Sequence, residues 1–256
     1  MLAWTALLLA SAPSVFPSAA LLPLTPPPHV VTLEADRDAT LFEETNGQLA
    51  SGAGDGLLVG RTAQAFGAVR RSLVHFTPPE IPGSGQGQVL ESAVLVLYAS
   101  PTRPSQSDPA PLRLHAVLAD WGEGASVSSG GNGALAQPGD ATWLHAFYAF
   151  NNSQASPWLH NGGQFEGTPL AEAVREGDTW RFSSPELTAR VAQWIAEPET
   201  NFGLIVIGNE AVPQTAKTLA SREHADASVH PVLELTVRSG VRKPAVVEAP
   251  RRLSPR

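Results

Sequence analysis

The chain has 256 residues, of which 43% are hydrophobic, and a formal net charge of −7. This length suits one large β domain or two small ones, and the hydrophobic content is ordinary for a globular protein. The sequence contains no cysteine, which excludes disulfides, thiolate metal sites and thiol catalysis. Stability must therefore come from a packed core, with or without a bound ion.

The charge is unevenly distributed along the chain. Residues 238–256 contain six basic residues and one acidic residue, which leaves 11 basic and 23 acidic residues in the rest of the chain. A body this acidic repels a phosphate backbone, so the composition argues against nucleic acid as a partner. Residues 239–256 contain proline and lack a periodic apolar face, which predicts a disordered basic tail.

The first 20 residues have the pattern of a secretory signal peptide. They carry no charged side chain, include a mostly apolar run at residues 2–12, and end in Ser18-Ala19-Ala20. The alternative is a buried N-terminal segment, since no Lys or Arg precedes the apolar run. We expect a secreted or cell-surface protein without a transmembrane segment, because no other run approaches about 18 apolar residues. Residues 21–30 follow as a proline-rich extended lead-in.

Alternating apolar residues predict the first strand. The alternation runs over residues 31–35, and Asp36, Asp38 and Thr40 would share the outer face of this strand. Carboxylates in such a row suit calcium, so Asp36 and Asp38 are candidate ligands of a structural calcium ion. The alternative is a solvated acidic face, because the ligand spacing of an EF-hand is absent. No other cofactor is expected.

Further short strands follow, separated by turns rich in Gly and Pro. A glycine-rich turn at residues 52–56 precedes a strand at 57–59, and residues 71–100 contain two strands joined by a long turn. Alternation predicts strands at 112–116 and 233–237, and an apolar run predicts a strand buried on both faces at 202–207. This succession predicts an all-β fold, an antiparallel β-sandwich in a single domain.

One short helix is predicted near residue 185. Ser183 and Glu186 form a capping box, Pro185 lies in the first turn, and the helix ends near Pro198. The apolar residues of its buried face are Leu187, Val191, Trp194 and Ile195.

A long segment without periodicity separates the strands from this helix. Residues 120–139 predict a loop in which Trp121 plugs an edge of the core. Residues 140–165 concentrate aromatic side chains, and exposed rings of this kind stack on sugars. The candidate ligand-binding residues are Trp143, Phe147, Tyr148 and Trp158. The competing hypothesis, which we favour for Trp143 and Trp158, is that these rings anchor the loop to a sheet.

Several sequence blocks, taken in their order along the chain, point to a known family. They are EADRDATL, RSLVHF, SAVLVLYAS, LRLHAVLADWGEG, GDATWLHAFY with PWLHNGGQF, SPELTARVAQWI, NFGLIVIGNE, ASREH and HPVLELTV. In this order the blocks resemble the DNRLRE-domain family of secreted proteins, which is grouped with carbohydrate-binding modules of jelly-roll type. The chain departs from the family pattern at residues 77–79 and after Glu123. The resemblance implies a jelly-roll β-sandwich over residues 31–238, carbohydrate binding as in some members, and a structural plug that includes Trp143 and Trp158.

The sequence contains no local signature of an enzyme. Gly-x-Ser-x-Gly and His-Glu-x-x-His are both absent. The enzyme alternative is a polysaccharide lyase or hydrolase that would use His75, His115 or Tyr98 on an outer sheet face. We expect instead a non-catalytic secreted module that binds a polysaccharide or cell-surface glycan. The remaining alternative is a structural or matrix assembly protein without affinity for glycans.

Overall fold

A computed structural model describes residues 27–79, 88–102, 108–151 and 153–239. The predicted signal peptide, most of the proline-rich lead-in and residues 240–256 of the predicted tail lie outside these ranges. Among the described residues, no helix combines the length and apolar character that a membrane span requires.

Sixteen strands and one α-helix make up the described chain. The strands are β1 (His29–Glu34), β2 (Arg37–Phe42), β3 (Leu49–Ser51), β4 (Gly56–Arg61), β5 (Val69–His75), β6 (Gln88–Tyr98), β7 (Leu112–Ala116), β8 (Ala134–Leu135), β9 (His145–Phe147), β10 (Ser156–Pro157), β11 (Ala171–Ala173), β12 (Arg175–Glu176), β13 (Thr179–Ser183), β14 (Leu204–Ile207), β15 (Lys217–Ala220) and β16 (Val232–Ser239). Helix α1 spans Pro185–Ala196, and 3-10 turns lie at Pro198–Thr200 and Ala227–Val229.

Two antiparallel sheets form the body. The smaller sheet has the order β1-β16-β6-β13-β12. The larger sheet has nine strands, ordered β11-β7-β14-β5-β2-β3-β8, with β4 paired to β5 and β15 paired to β4. Strands β9 and β10 form a separate two-stranded ribbon. The prediction of an all-β antiparallel sandwich with one short helix is confirmed.

The main core fills the space between the two sheets. Along β16, Leu233, Leu235 and Val237 are buried whereas the residues between them are half-buried, as the alternation predicted. The four residues of β14 are all buried, because β5 and β7 flank this strand and both of its faces are covered. The strand predicted at residues 202–207 is therefore confirmed over 204–207, whereas Phe202 and Gly203 precede it.

Helix α1 packs its apolar stripe against this core. Leu187, Val191 and Trp194 are buried. The N-cap is Ser184, whose Oγ accepts the Leu187 N–H at 2.9 Å. The predicted capping box at Ser183 was wrong by one residue, because Ser183 is still paired in β13.

The two strands predicted within residues 71–100 exist as β5 and β6, but they belong to opposite sheets. Strand β5 pairs with β2, β4 and β14, whereas β6 pairs with β13 and β16. This segment is therefore a crossover between the two layers of the sandwich and not a hairpin.

The chain also crosses between the sheets at residues 35 and 36. Ala35 donates its N–H to Pro231, beside the smaller sheet, whereas Asp36 donates to His75 of the larger sheet. Two strands, β1 and β2, therefore replace the single predicted one. The predicted outer face for Asp38 and Thr40 was wrong, because both residues are fully buried in β2. The lead-in also ends earlier than predicted, since β1 already begins at residue 29.

A second core lies on the outer face of the larger sheet, where the segment 117–158 folds over the strands. Its sheet residues are Ala39, Leu41, Leu73, Ile205 and Ile207, and its loop residues are Val117, Trp121, Ala141, Ala146 and Trp158. The predicted role of Trp121 is confirmed, since it is fully buried and donates its indole N–H to the Phe202 carbonyl at 2.9 Å.

Candidate functional site

Trp158, one of the four predicted ligand-binding residues, lies inside the second core. Only 5% of its surface is exposed. Its indole N–H donates to the Thr142 carbonyl at 2.9 Å, and its backbone N–H donates to Leu144 at 3.0 Å. The ring is enclosed by protein and presents no open face on which a sugar stacks. This placement matches the anchor hypothesis for Trp158.

Trp143 is half-buried and takes part in a stack around Arg71. The Arg71 guanidinium lies 4.9 Å from the centre of the Trp143 ring and 5.3 Å from that of Phe165. It also donates to both carboxylate oxygens of Glu210, at 2.7 and 3.0 Å, and to the Gly162 carbonyl at 2.8 Å. Trp143 therefore fastens the loop to β5.

The solvent-facing part of the aromatic loop is smaller than its composition indicates. Phe147 and Tyr148 are half-buried. The Tyr148 ring contacts His145 and Phe150 edge-on, at centroid distances of 5.7 and 6.0 Å, and Phe150 is 72% exposed. The four predicted residues thus do not share one open face, and the row from His145 to Phe150 borders solvent.

An open groove of about 310 Å³ lies elsewhere on the larger sheet. We call it the Phe66 groove; its lining residues are Glu43, Glu44, Thr45, Leu49, Gln64, Phe66, Gly67, Arg70 and Asn132. They come from the β2–β3 connection with the start of β3, the β4–β5 connection with the start of β5, and the loop before β8. Three separate chain segments therefore build one concave surface.

Arg70 organises this groove from beneath. Its side chain is buried and donates to the carbonyls of Gly131 and Gly67 and to Gln64 Oε1, at 3.0, 2.7 and 2.7 Å. The guanidinium also lies 4.9 Å from the centre of the Phe42 ring. Burial lowers the pKa of Arg70 to about 10, which leaves it protonated at neutral pH. The guanidinium therefore stabilises the arrangement of the loops.

The groove combines a free aromatic ring with fixed polar groups. Phe66 is 92% exposed. Glu43 accepts a backbone N–H at 2.9 Å and Glu44 accepts two, which holds both side chains in place. Gln64 Nε2 donates to Asn132 Oδ1 at 2.7 Å. An apolar ring beside carboxylates and amides is the composition expected of a site that takes a polar ligand with an apolar face, such as a sugar.

The groove was not predictable from the sequence, because each loop contributes only one to four of its residues. The available signal was Phe66 itself, an aromatic residue in the turn Gln64-Ala65-Phe66-Gly67, where no periodic pattern assigns it to a core.

A second site brings together three carboxylates, which we call the acidic cluster: Asp38, Glu123 and Glu223. One carboxylate oxygen from each lies within 4.8 Å of the other two. Glu123 Oε1 accepts the Asp38 N–H at 2.8 Å, and Asp38 Oδ2 accepts the Arg222 N–H at 2.7 Å. The Arg222 guanidinium donates to Glu123 at 3.2 Å and to Glu223 Oε1 at 2.6 Å.

The electrostatics of the acidic cluster follow from burial and like charge. Burial, together with the Glu223 and Glu123 carboxylates, raises the pKa of Asp38 well above its ordinary value. Burial and the Glu123 carboxylate also raise the pKa of Glu223. Desolvation and mutual repulsion therefore both oppose three negative charges at this site.

Asp36, the other predicted calcium ligand, does not join this cluster. Its Oδ1 lies 2.6 Å from His75 Nδ1, and its Oδ2 accepts the Thr77 hydroxyl at 2.5 Å. Burial by itself would raise the pKa of Asp36, but these bonds outweigh it and hold the pKa below its usual range. The prediction paired Asp38 with Asp36 because the two are close in the sequence, although Asp36 has different partners. It did not include Glu123 and Glu223, which are distant in the sequence.

The groups considered for an enzyme do not converge. Tyr98 ends β6 in the smaller sheet, whereas His75 and His115 lie on strands of the larger sheet. His115 is buried against Phe165, with its Nδ1 2.8 Å from the Glu166 carbonyl, and burial lowers its pKa.

A scan against models of known protein families finds no match, and a search of curated proteins finds no significant one.

A further open groove of about 320 Å³ borders α1, where Arg190 pairs with Glu166 at 2.6 Å. No aromatic side chain is among the described residues that line it. The Phe66 groove thus provides the better-formed ligand surface.

Proposed function

We propose that this protein is a non-catalytic carbohydrate-binding module that acts outside the cell and holds its glycan in the Phe66 groove. The observation that carries the proposal is the 92% exposed Phe66 ring at a groove walled by fixed carboxylates and amides. Leaving a large ring in water is unfavourable, and a sugar covers it with a C–H face while its hydroxyls bond the polar wall.

The charge of the groove selects among glycans. Glu43 and Glu44 line it, whereas three of the Arg70 donor groups are committed to the protein. An anionic sugar would meet these carboxylates, and the described residues that line the groove offer it no free cation, so repulsion at short range disfavours it. We therefore expect neutral sugars or amino sugars to bind, and uronate or sulfated polymers to be rejected.

Two features of the sequence support the same proposal. The blocks that resemble the DNRLRE-domain family suggest a family in which some members bind carbohydrate. The signal-peptide pattern of residues 1–20 agrees with a ligand outside the cell. N-terminal sequencing of the protein recovered from culture medium tests export, since a start near residue 21 is expected.

Affinity gel electrophoresis tests glycan binding directly. The chain is run through gels that contain a β-glucan, a galactomannan, chitosan, pectate or alginate, and isothermal titration quantifies any interaction. Phe66→Ala is expected to weaken binding about tenfold, as the loss of roughly 1.5 kcal/mol of ring contact implies. Phe150→Ala is the matched control, because it removes another exposed phenyl ring, from the aromatic loop.

The outcomes separate the two surfaces. Retardation that Phe66→Ala abolishes and Phe150→Ala leaves intact supports the groove. The reverse pattern moves the site to the row from His145 to Phe150 and overturns the assignment to the groove. A wild-type chain that none of the polysaccharides retards would overturn glycan binding altogether.

A further inference from the structure

Two carboxylate oxygens of the acidic cluster are buried without a hydrogen-bond partner. They are Asp38 Oδ1 and Glu223 Oε2, and within the described part of the chain neither atom has a donor. Asp38 itself has no exposed surface. A buried carboxylate oxygen without a donor is costly, and a bound cation is one ligand that satisfies it.

The charge balance points to a cation with two positive charges. The three ionised carboxylates carry three negative charges, and Arg222, which contacts Glu123 and Glu223, supplies one positive charge. Arg37, which precedes Asp38 in the chain, is committed to Asp120 at 2.8 Å and to the Trp121 carbonyl. Two negative charges remain, which a divalent cation neutralises.

The dimensions of the cluster suit a large, hard cation. Calcium binds oxygen at about 2.3–2.6 Å, so ligands on opposite sides of the ion lie about 5 Å apart. The three carboxylate oxygens fall within a span of 4.8 Å. Magnesium requires a near-ideal octahedron at about 2.0–2.1 Å and keeps several waters, so one or two carboxylates usually hold it rather than three. All three ligands are carboxylates, the donor type that calcium prefers.

We infer that Asp38, Glu123 and Glu223 form a calcium-binding site that joins three segments distant in the sequence. Asp38 lies in β2, Glu123 in the loop that enters the second core, and Glu223 in the turn after β15. The ion cross-links the edge of that loop to the sheet. Water molecules complete the six to eight ligands of calcium on the side of the half-buried Glu123 and Glu223.

The test uses the full chain, freed of metal by a chelator and then titrated with CaCl₂ or MgCl₂. Because the ion binds only the folded state, a hundredfold excess over Kd is expected to raise Tm by about 5 °C or more. Isothermal titration with CaCl₂ is expected to show one site, and magnesium to give a much smaller shift. This readout needs no glycan, so its failure is distinguishable from failure of the Phe66 groove.

Three variants assign the ligands. Asp38→Asn and Glu223→Gln each remove one ligand charge and are expected to abolish the calcium-dependent shift. Asp36→Asn is the matched control, because it makes the same chemical change two residues away, at a carboxylate bonded to His75 and Thr77. It is expected to retain the full shift.

Two results would overturn the inference. The first is a metal-free wild-type chain whose Tm does not respond to millimolar calcium and that shows no binding heat. The second is a full calcium shift in Glu223→Gln, whose half-buried side chain tolerates the change, as this would place any calcium elsewhere. Should Asp38→Asn fail to fold, Glu223→Gln and the wild-type titration still decide the question.

Discussion

Replacing Trp158 tests whether the aromatic loop is an anchor or a ligand surface. The side chain is 95% buried in the second core, and its indole N–H bonds the Thr142 carbonyl at 2.9 Å. Trp158→Ala removes the ring from a packed site, which typically costs about 3–5 kcal/mol. For a domain of this size, each kcal/mol lowers Tm by roughly 2–4 °C. We therefore expect Tm to fall by about 6–20 °C.

A milder substitution separates packing from hydrogen bonding. Trp158→Phe keeps an aromatic ring but leaves the Thr142 carbonyl without its donor, so a smaller cost of about 1–3 kcal/mol is expected. Phe150→Ala truncates a ring that is 72% exposed, and its effect should stay within roughly 0.5 kcal/mol. The expected loss of stability is therefore largest for Trp158→Ala, smaller for Trp158→Phe and smallest for Phe150→Ala, because Trp158 is buried and Phe150 is exposed.

Urea denaturation followed by circular dichroism measures all three variants, with the m-value checked for a change in cooperativity. The anchor hypothesis is refuted if Trp158→Ala unfolds at the urea concentration of the wild type. A variant that kept wild-type stability but lost retention on a polysaccharide gel would show instead that the ring contacts the ligand.

Two further predictions concern the helix cap and a buried histidine. Ser184→Ala removes the N-cap bond to Leu187 and should cost about 1 kcal/mol in urea denaturation, whereas Ser183→Ala, at the exposed end of β13, should cost less. Burial lowers the pKa of His115 below 6.5, so the unfolded chain binds a proton that the folded chain does not as pH falls below that value. Its contribution to stability is therefore present above pH 6.5 and decreases below it. His115→Asn keeps a donor toward the Glu166 carbonyl and should reduce the dependence of the urea midpoint on pH below about 6.5. An unchanged pH slope in that variant would contradict the assignment.

Strands with a strict polar and apolar alternation were predictable from the sequence. In β16, Leu233, Leu235 and Val237 point to the core because successive side chains of a strand alternate between its faces. The same rule failed at residues 31–40. There the alternation gives no sign that the backbone bonds change sheets between Ala35 and Asp36.

The aromatic segment shows what amino-acid composition predicts and what it does not. Its rings were recognisable in the sequence, but whether a ring is enclosed or open depends on what the rest of the chain places against it. Trp158 is enclosed because Thr142 and the outer face of the larger sheet meet it. Phe66, from a turn without a periodic pattern, is 92% exposed, more than Phe150 of the aromatic loop at 72%.

The class of fold, the strands with clear periodicity, the helix and the aromatic loop were all predictable from the sequence. These features depend on side-chain patterns within a few residues of one another. The partners of Asp38 were not predictable in this way. Asp38 lies with Glu123 and Glu223, not with Asp36, because β2 turns its carboxylate inward to where two distant turns converge. The Phe66 groove likewise depends on contacts between distant segments, since Arg70 bonds both the β4–β5 connection and the loop before β8.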